Sequence, residues 1–375
     1  MKHKIAITSA FLAASSLTMA EIKINEFLSF KGFVDMSYSH SDTDFEGEGV
    51  SDNSFGIDQV EIDWLFNFGK VTAQIDLEYE EAGDETEVEQ AFVSYDLGNG
   101  SALTMGRYES MLGLEAKEPT GLYQYSNAYS ILTNDPLGGS PLGGSGFGGS
   151  PLPQYAQGVK FTKTTDTSFF GLSIQDQAFG TGAGSLGGSG GDLDNPDGTY
   201  AVEAAASITN GDTTYFIGGV YEDGDDFSDV WFLNGHVSHQ NGPWTVGAEV
   251  FVGNADLDLG FGSGVAPDVD LDLMGGLIMA NYAYNECSSI TARISFVQYD
   301  TALSDGGSQS IGFDVEGLKY TLAHNYALTD NLAIITEVSY SDINIDARGD
   351  IGDGPEDLSA DGDELLGAVE VLFTF

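Results

Sequence analysis

Ionisable side chains recur in this sequence at alternate positions, separated by apolar residues. In "VEIDWLFNF" Glu61 and Asp63 alternate with Val60, Ile62, Trp64, Phe66 and Phe68, and in "KVTAQIDLEYE" Asp76 and Glu78 alternate with Ile75, Leu77 and Tyr79. The same parity reading puts Asp35, Glu203, Glu249, Glu337 and Glu370 on the polar face, with Lys31, Lys160, Arg293 and Lys319 as the fewer bases. Carboxylates in excess along a narrow wet path act through their field: they raise the local cation concentration and repel anions. The other reading is that they solvate the wall of a protein from salty surroundings. No metal-ligand pair or phosphate loop is present. His236 and His239 of "HVSHQNG" fall beside a short turn, so no catalytic residue, cofactor or metal site is expected.

The elements that carry these side chains are strands. Period-two alternation runs through the chain and helical periodicity is nearly absent. Short turns are expected at Gly69-Lys70 and near 98–101, 164–167, 209–212, 239–243, 285–289 and 328–331. Long Gly/Asp-rich connections are expected near 39–54, 81–87, 109–156, 178–198, 222–229, 254–269, 300–310 and 343–363. Seven turns and eight loops in strict alternation give sixteen strands. A polar face repeated in every strand is not a packed interior; it can line water while the apolar face meets lipid. Closure follows, because an open sheet edge in hydrocarbon leaves backbone groups unpaired. The expectation is an all-β, closed transmembrane antiparallel β-barrel with short periplasmic turns and long external loops. Tyr38, Trp64, Phe68, Tyr79, Tyr95, Trp231, Trp244, Tyr320 and Tyr340 fall near strand ends, as aromatic girdles do.

Residues 1–20 read as a cleaved signal peptide: Lys2 and Lys4, an apolar run to Met19, and small residues at Thr18 and Ala20. Residues 21–375 then form the barrel. Removing Lys2 and Lys4 from the 12 basic residues leaves ten against 59 acidic ones. That charge excludes nucleic acid as a partner. The 23 Phe and 17 Tyr argue against disorder. A single cysteine, Cys287, rules out an internal disulfide. The acidic stretches "EDGDDFSD" (222–229) and "GDIGDGPEDLSADGDE" (349–364) lack the spacing of a calcium loop and read as solvated, loosely bridged by divalent ions to lipopolysaccharide at most.

The chain ends "VEVLFTF", with Leu365, Val369, Val371, Phe373 and Phe375 at alternate positions. This resembles the C-terminal signature of Gram-negative outer-membrane proteins, which implies recognition of Phe373 and Phe375 by the barrel-assembly machinery and a closing strand paired with residues 27–40. "MGRYESMLGLEAKEPTGLYQYSNAYS" (105–130), "PQYAQGVKF" (153–161) and "YALTDNLAIITEVSY" (326–340) resemble the OmpL-like β-barrel porin-2 family. The resemblance covers the N-terminal half and the last strands. It implies an outer-membrane channel for small hydrophilic solutes and ions, in contact with outer-membrane lipid and lipopolysaccharide, with a homotrimer as the usual assembly. In sixteen-stranded porins the third external loop narrows the barrel, and here 109–156 is the third. Residues 109–135 are therefore expected to fold inwards, with "PLGGSPLGGSGFGGSPLP" (136–153) as an exposed tip. Arg107, Glu118, Tyr123 and Tyr125 are the candidate constriction residues; Arg107 has lipid-facing parity and needs a bulge to reach the lumen rim, or else reaches lipid headgroups. A structural or adhesive barrel, and more remotely a rim hydrolase, are the competing classes.

Overall fold

The computed structural model describes residues 21–80, 85–132, 150–179, 200–224, 228–258, 268–304, 310–350 and 355–375. The signal-peptide reading, most of the Gly-rich tip and parts of both acidic stretches lie outside them. A two-residue strand, β1 (Ile22–Lys23), lies against the start of the wall. The wall itself is β2 (Leu28–Phe45), β3 (Glu48–Asn67), β4 (Val71–Glu80), β5 (Glu85–Gly98), β6 (Ser101–Glu109), β7 (Tyr155–Thr164), β8 (Ser168–Gln175) and β9 (Tyr200–Asn210). It continues with β10 (Thr213–Gly224), β11 (Ser228–Asn241), β12 (Trp244–Asp258), β13 (Asp268–Asn285), β14 (Ser288–Ser304), β15 (Ser310–Thr329), β16 (Leu332–Asp350) and β17 (Pro355–Thr374). Every wall strand pairs antiparallel with its sequence neighbours, and β17 returns to β2, so sixteen strands close on themselves without an edge.

All seven short turns lie where the alternation breaks in the sequence. The long connections differ from expectation. Residues 39–54 are a hairpin whose only turn is Glu46-Gly47, at φ +54° and +82°. Most of 343–363 is the facing ends of β16 and β17, and β10 and β11 run almost to one another through 222–229. Asp, Ser and Gly there signal departure from the bilayer and not from the sheet. Strands of 20 residues such as β15 are about 66 Å long, whereas about ten residues cross the hydrocarbon.

The outward face shows where the crossing ends. On β16 Val338 and Tyr340 are exposed apolar positions, and Asp342 and Asp346 follow on the same face; on β17 Asp361 and Asp363 give way to Leu365, Val369 and Phe373. Tyr320 and Tyr340 sit directly opposite each other in the ladder, and Trp244 stacks near Tyr282 at the short-turn end, 4.5 Å between ring centroids. These rings occupy the two rims of the apolar band, as a girdle requires.

The seam is closed by backbone and by an aromatic cluster. Phe375 exchanges two hydrogen bonds of 2.9 Å with Gly32, and its ring lies 6.2 Å from that of Phe30 and 5.9 Å from that of Phe373. A Cβ on Gly32 would lie 2.3 Å from the Glu61 carbonyl oxygen and 2.8 Å from the Phe375 ring. Gly32→Val is therefore expected to hinder closure of the last strand, seen as loss of the compact, heat-modifiable band on unboiled gels. An unchanged band shift would show that the seam does not depend on this approach.

Candidate functional site

Parity fixes which side chains point inwards. Along β2–β4 and β17 the inward positions carry Lys31, Asp35, Glu61, Asp63, Asp76, Glu78 and Glu370; Lys160, Glu203, Glu249, Arg293, Lys319 and Glu337 face inwards from β7, β9, β12, β14, β15 and β16. Apart from Lys31, these are almost fully buried. They are covered because residues 110–132 lie inside the wall and bond to it around much of its circumference.

That bonding can be followed strand by strand. The Met111 amide donates to Glu203 on β9 at 2.5 Å, the Gly113 amide to Asn234 on β11 at 3.1 Å, and the Leu114 amide to Glu249 on β12 at 2.7 Å. Tyr129 donates its hydroxyl to the other Glu249 oxygen at 2.7 Å. On β14 Arg293 forms a 2.6 Å ion pair with Glu115 and donates to the Ser126 carbonyl at 2.8 Å, while Ser295 donates to the Ala128 carbonyl. Lys319 on β15 donates to the Ser130 carbonyl at 2.7 Å, and Asn325 to that of Tyr123 at 2.6 Å. Glu337 on β16 accepts from the Ser126 amide and hydroxyl. Two strands further round the wall, the hydroxyls of Tyr125 and β2 Ser37 lie 3.2 Å apart. Burial pushes the Tyr123 phenol up to about 12 and the Tyr125 phenol higher still, so both remain neutral.

One expectation needs correction. The inward face is not polar in every strand. Val220, Phe232, Phe251, Leu271, Leu277, Val297, Val315 and Ile343 face inwards from β10–β16 and form one apolar core with Leu112, Leu114, Tyr129, Ile131 and Leu132 of the inserted segment. Water does not line this part of the wall; chain does. Inward glycines make the seats. A Cβ on Gly218 would lie 2.5 Å from Leu112, on Gly247 2.9 Å from Leu114, and on Gly317 2.8 Å from Ile131. The signal for this core was in the sequence: "VFV" (250–252) and "GGLIMA" (275–280) are apolar on both parities, as in sheets covered on both faces.

The polar half of the interior is the β2–β5 side. Lys31 pairs with Asp63 at 2.5 Å. Gln59 donates to Glu78 at 2.6 Å and to Glu118 of the inserted segment at 2.9 Å, and Tyr155 donates to the second Glu118 oxygen at 2.8 Å. Asp76 accepts from Gln74 and Gln90, both at 2.8 Å. Asp35 and Glu370 meet across the closing pair of strands. Lys160 lies apart, donating to the Glu109 carbonyl at 2.9 Å with its ammonium 4.1 Å from the Tyr108 ring centroid.

Arg107 is half-buried on a strand that continues past it to Glu109. Gly106, at φ +128°, redirects the backbone there. The Arg107 Nε donates to the Glu89 carbonyl at 2.7 Å, and the guanidinium faces the Tyr155 ring at 5.9 Å. Lys117 faces the same ring at 5.3 Å; burial pushes its ammonium down against the opposing pull of Glu109, Glu203, Glu89 and Glu118.

Sequence reading missed Glu89, Gln59, Glu115 and Asn234. Glu89 sits at a bulge, because Asp76 pairs with Gln90 while Leu77 pairs with Val88. The parity break was visible: outward Val88 is even, whereas Ala91, Val93 and Tyr95 are odd.

A closed antiparallel barrel with an apolar exterior band and a chain segment packed inside it is the architecture of an outer-membrane barrel of the porin type. Neither a protein-family model nor a curated protein matches the sequence. Solved structures do match in fold. The outer membrane protein OmpT of Vibrio cholerae aligns at 12% identity over 95% of this chain and 100% of that one, with a TM-score of 0.58. The outer membrane channel DcaP of Acinetobacter baumannii aligns at 11% identity over 95% and 100%, TM-score 0.57. An anion-selective porin from Comamonas acidovorans aligns at 13% identity over 93% and 99%, TM-score 0.55.

Proposed function

We propose that the protein is an outer-membrane porin of the OmpL-like kind, a water-filled channel for passive passage of ions and small hydrophilic solutes, with a mild preference for cations. It is exported by its N-terminal segment, has its short turns in the periplasm, and is narrowed by the segment 110–132. The observation that carries this reading is the division of the interior into an apolar half that holds the inserted segment and an acidic half on β2–β5. Carboxylates concentrated on the side not filled by apolar packing set the sign of the field along the remaining path. The fold likeness to an anion-selective porin carries no selectivity across to this chain. The porin and the outer-membrane channel among the neighbours support transport rather than catalysis. A trimer is consistent with the neighbour OmpT, which is also described in trimer form.

In planar bilayers under a KCl gradient, the reversal potential is expected to have the cation-selective sign, and Glu61→Gln with Asp63→Asn and Asp76→Asn is expected to reduce the cation-to-anion ratio by about twofold or more. An anion-selective sign would overturn the preference. The many hydrogen bonds of the inserted segment favour a second reading, a closed structural barrel. Liposome swelling with small sugars separates the two: no swelling would leave the structural reading.

A further inference from the structure

We infer that Glu61, Glu89 and Glu118 form a binding site for a divalent cation of the calcium class, which ties the inserted segment to the barrel wall. The three carboxylates come from three elements: Glu61 from β3, Glu89 from the bulge in β5, and Glu118 from the inserted segment. One oxygen from each lies within 4.8 Å of the others. Oxygens bound to a common calcium ion at about 2.4 Å are separated by no more than twice that distance, so the three already fit one coordination sphere.

The second observation is independent of their proximity. Glu61 and Glu89 are 3% and 4% exposed, and the Oε2 of each has no hydrogen-bond partner. Buried carboxylate oxygens that face one another without a donor need a proton or a cation between them. Glu118 is held for the task, since Gln59 and Tyr155 each donate to one of its oxygens, the kind of outer support that orients metal ligands. The nearby cations are accounted for. Arg107 and Lys117 face the Tyr155 ring, Arg107 and Lys117 donating to backbone carbonyls of Glu89 and Gln154. Lys31 is paired with Asp63, which belongs with Asp76 to a second triad around Glu61. The Glu61–Glu89–Glu118 group is thus the one without a direct ammonium partner among the described contacts.

The consequence is mechanical as well as electrostatic. A cation there fastens the β3–β5 side of the inserted segment, which elsewhere is held by the apolar core and by Arg293. Because binding can be read without conduction, the site and the channel reading fail separately.

The test is a terbium titration of the full-length refolded barrel in detergent, with terbium excited through tyrosine and displaced by calcium or magnesium. Wild type is expected to show a tight, calcium-displaceable phase above the weak binding of the external acids. Glu118→Gln and Glu89→Gln are each expected to weaken that phase at least tenfold, with the heat-modifiable band retained as proof of folding. Asp342→Asn with Asp363→Asn, on the outward face beyond the apolar band, is expected to leave it unchanged. A wild type without a tight phase, Gln variants that titrate like wild type, or an equal loss in the outward-face variant would each overturn the site.

Discussion

Leu112→Asp combined with Leu114→Asp is expected to raise single-channel conductance severalfold and to add rapid open-channel noise, while leaving the barrel folded. Both leucines are about 4% exposed and sit over inward glycines of the wall, Leu112 against Gly218 and Leu114 against Gly247. Burying each contributes about 1.5–3 kcal/mol, and an aspartate in the same seat adds the cost of desolvating a charge with no partner. Together these shift the balance between docked and undocked segment by a factor of ten or more, since each 1.4 kcal/mol is tenfold. The wall does not share the penalty. Its ladders close without the segment, from β2 through β17 and back. Conductance equal to wild type, with the heat-modifiable band present, would show that the segment does not govern the pore.

Arg293→Met should have the next largest effect, and it acts through charge. The Arg293 side chain is 0% exposed and its Glu115 partner 11%. Besides the ion pair, it donates to the Ser126 carbonyl and lies 3.3 Å from the Ser126 and Thr321 hydroxyls. Glu115 in turn accepts from the Gln124 side chain at 2.6 Å and the Ala128 amide at 2.9 Å, so one ion pair organises residues 115–128. Removing one partner of a buried pair costs about 3–5 kcal/mol, because the other charge is left uncompensated. The expected result is faster amide exchange and protease cleavage within 112–130, with little change in the wall strands. Arg293→Met with Glu115→Gln should recover part of the protection. A double variant as exposed as the single one would mean that the ion pair is not what holds this stretch.

The apolar core inside the barrel explains which parts of the site were legible beforehand. Alternation in "VEIDWLFNF" and "KVTAQIDLEYE" announces its own faces, because on β3 and β4 one side meets lipid and the other meets polar groups. On β12 and β13 both sides are apolar, Val250 and Val252 towards lipid and Phe251 towards Leu273 and Tyr129. Strand parity alone does not say what covers an inward phenylalanine. Glycine was equally ambiguous. Gly218, Gly247 and Gly317 look like interruptions of their strands, yet each is a position where a larger side chain would collide with the inserted segment. Arg107 shows the same limit, since its path depends on the positive φ of Gly106 and on the ring of Tyr155, 48 residues later in the chain.

The strand ends divide in the same way. The seven tight turns needed only local chemistry: they are connections of two or three residues, and all but Glu286-Cys287 carry Gly, Asn or Asp. The opposite ends did not follow composition: Asp, Ser and Gly in 39–45 and 343–350 continue as paired strand, since a neighbouring strand supplies hydrogen bonds whatever the side chains are. What the sequence alone determined is therefore the sixteen-strand count, the inward or outward face of each regular strand, the closing role of the Phe-terminated strand, and the acidic sign of the polar face. These depend on period-two alternation and on local turn chemistry, which act between neighbours in the chain. Only the tertiary structure decided that half of the interior is an apolar seat, that Glu115 pairs with Arg293, and that Glu61, Glu89 and Glu118 converge. Those contacts join residues 28 to 178 positions apart, and they exist because barrel closure brings the wall strands and the inserted segment within reach of one another.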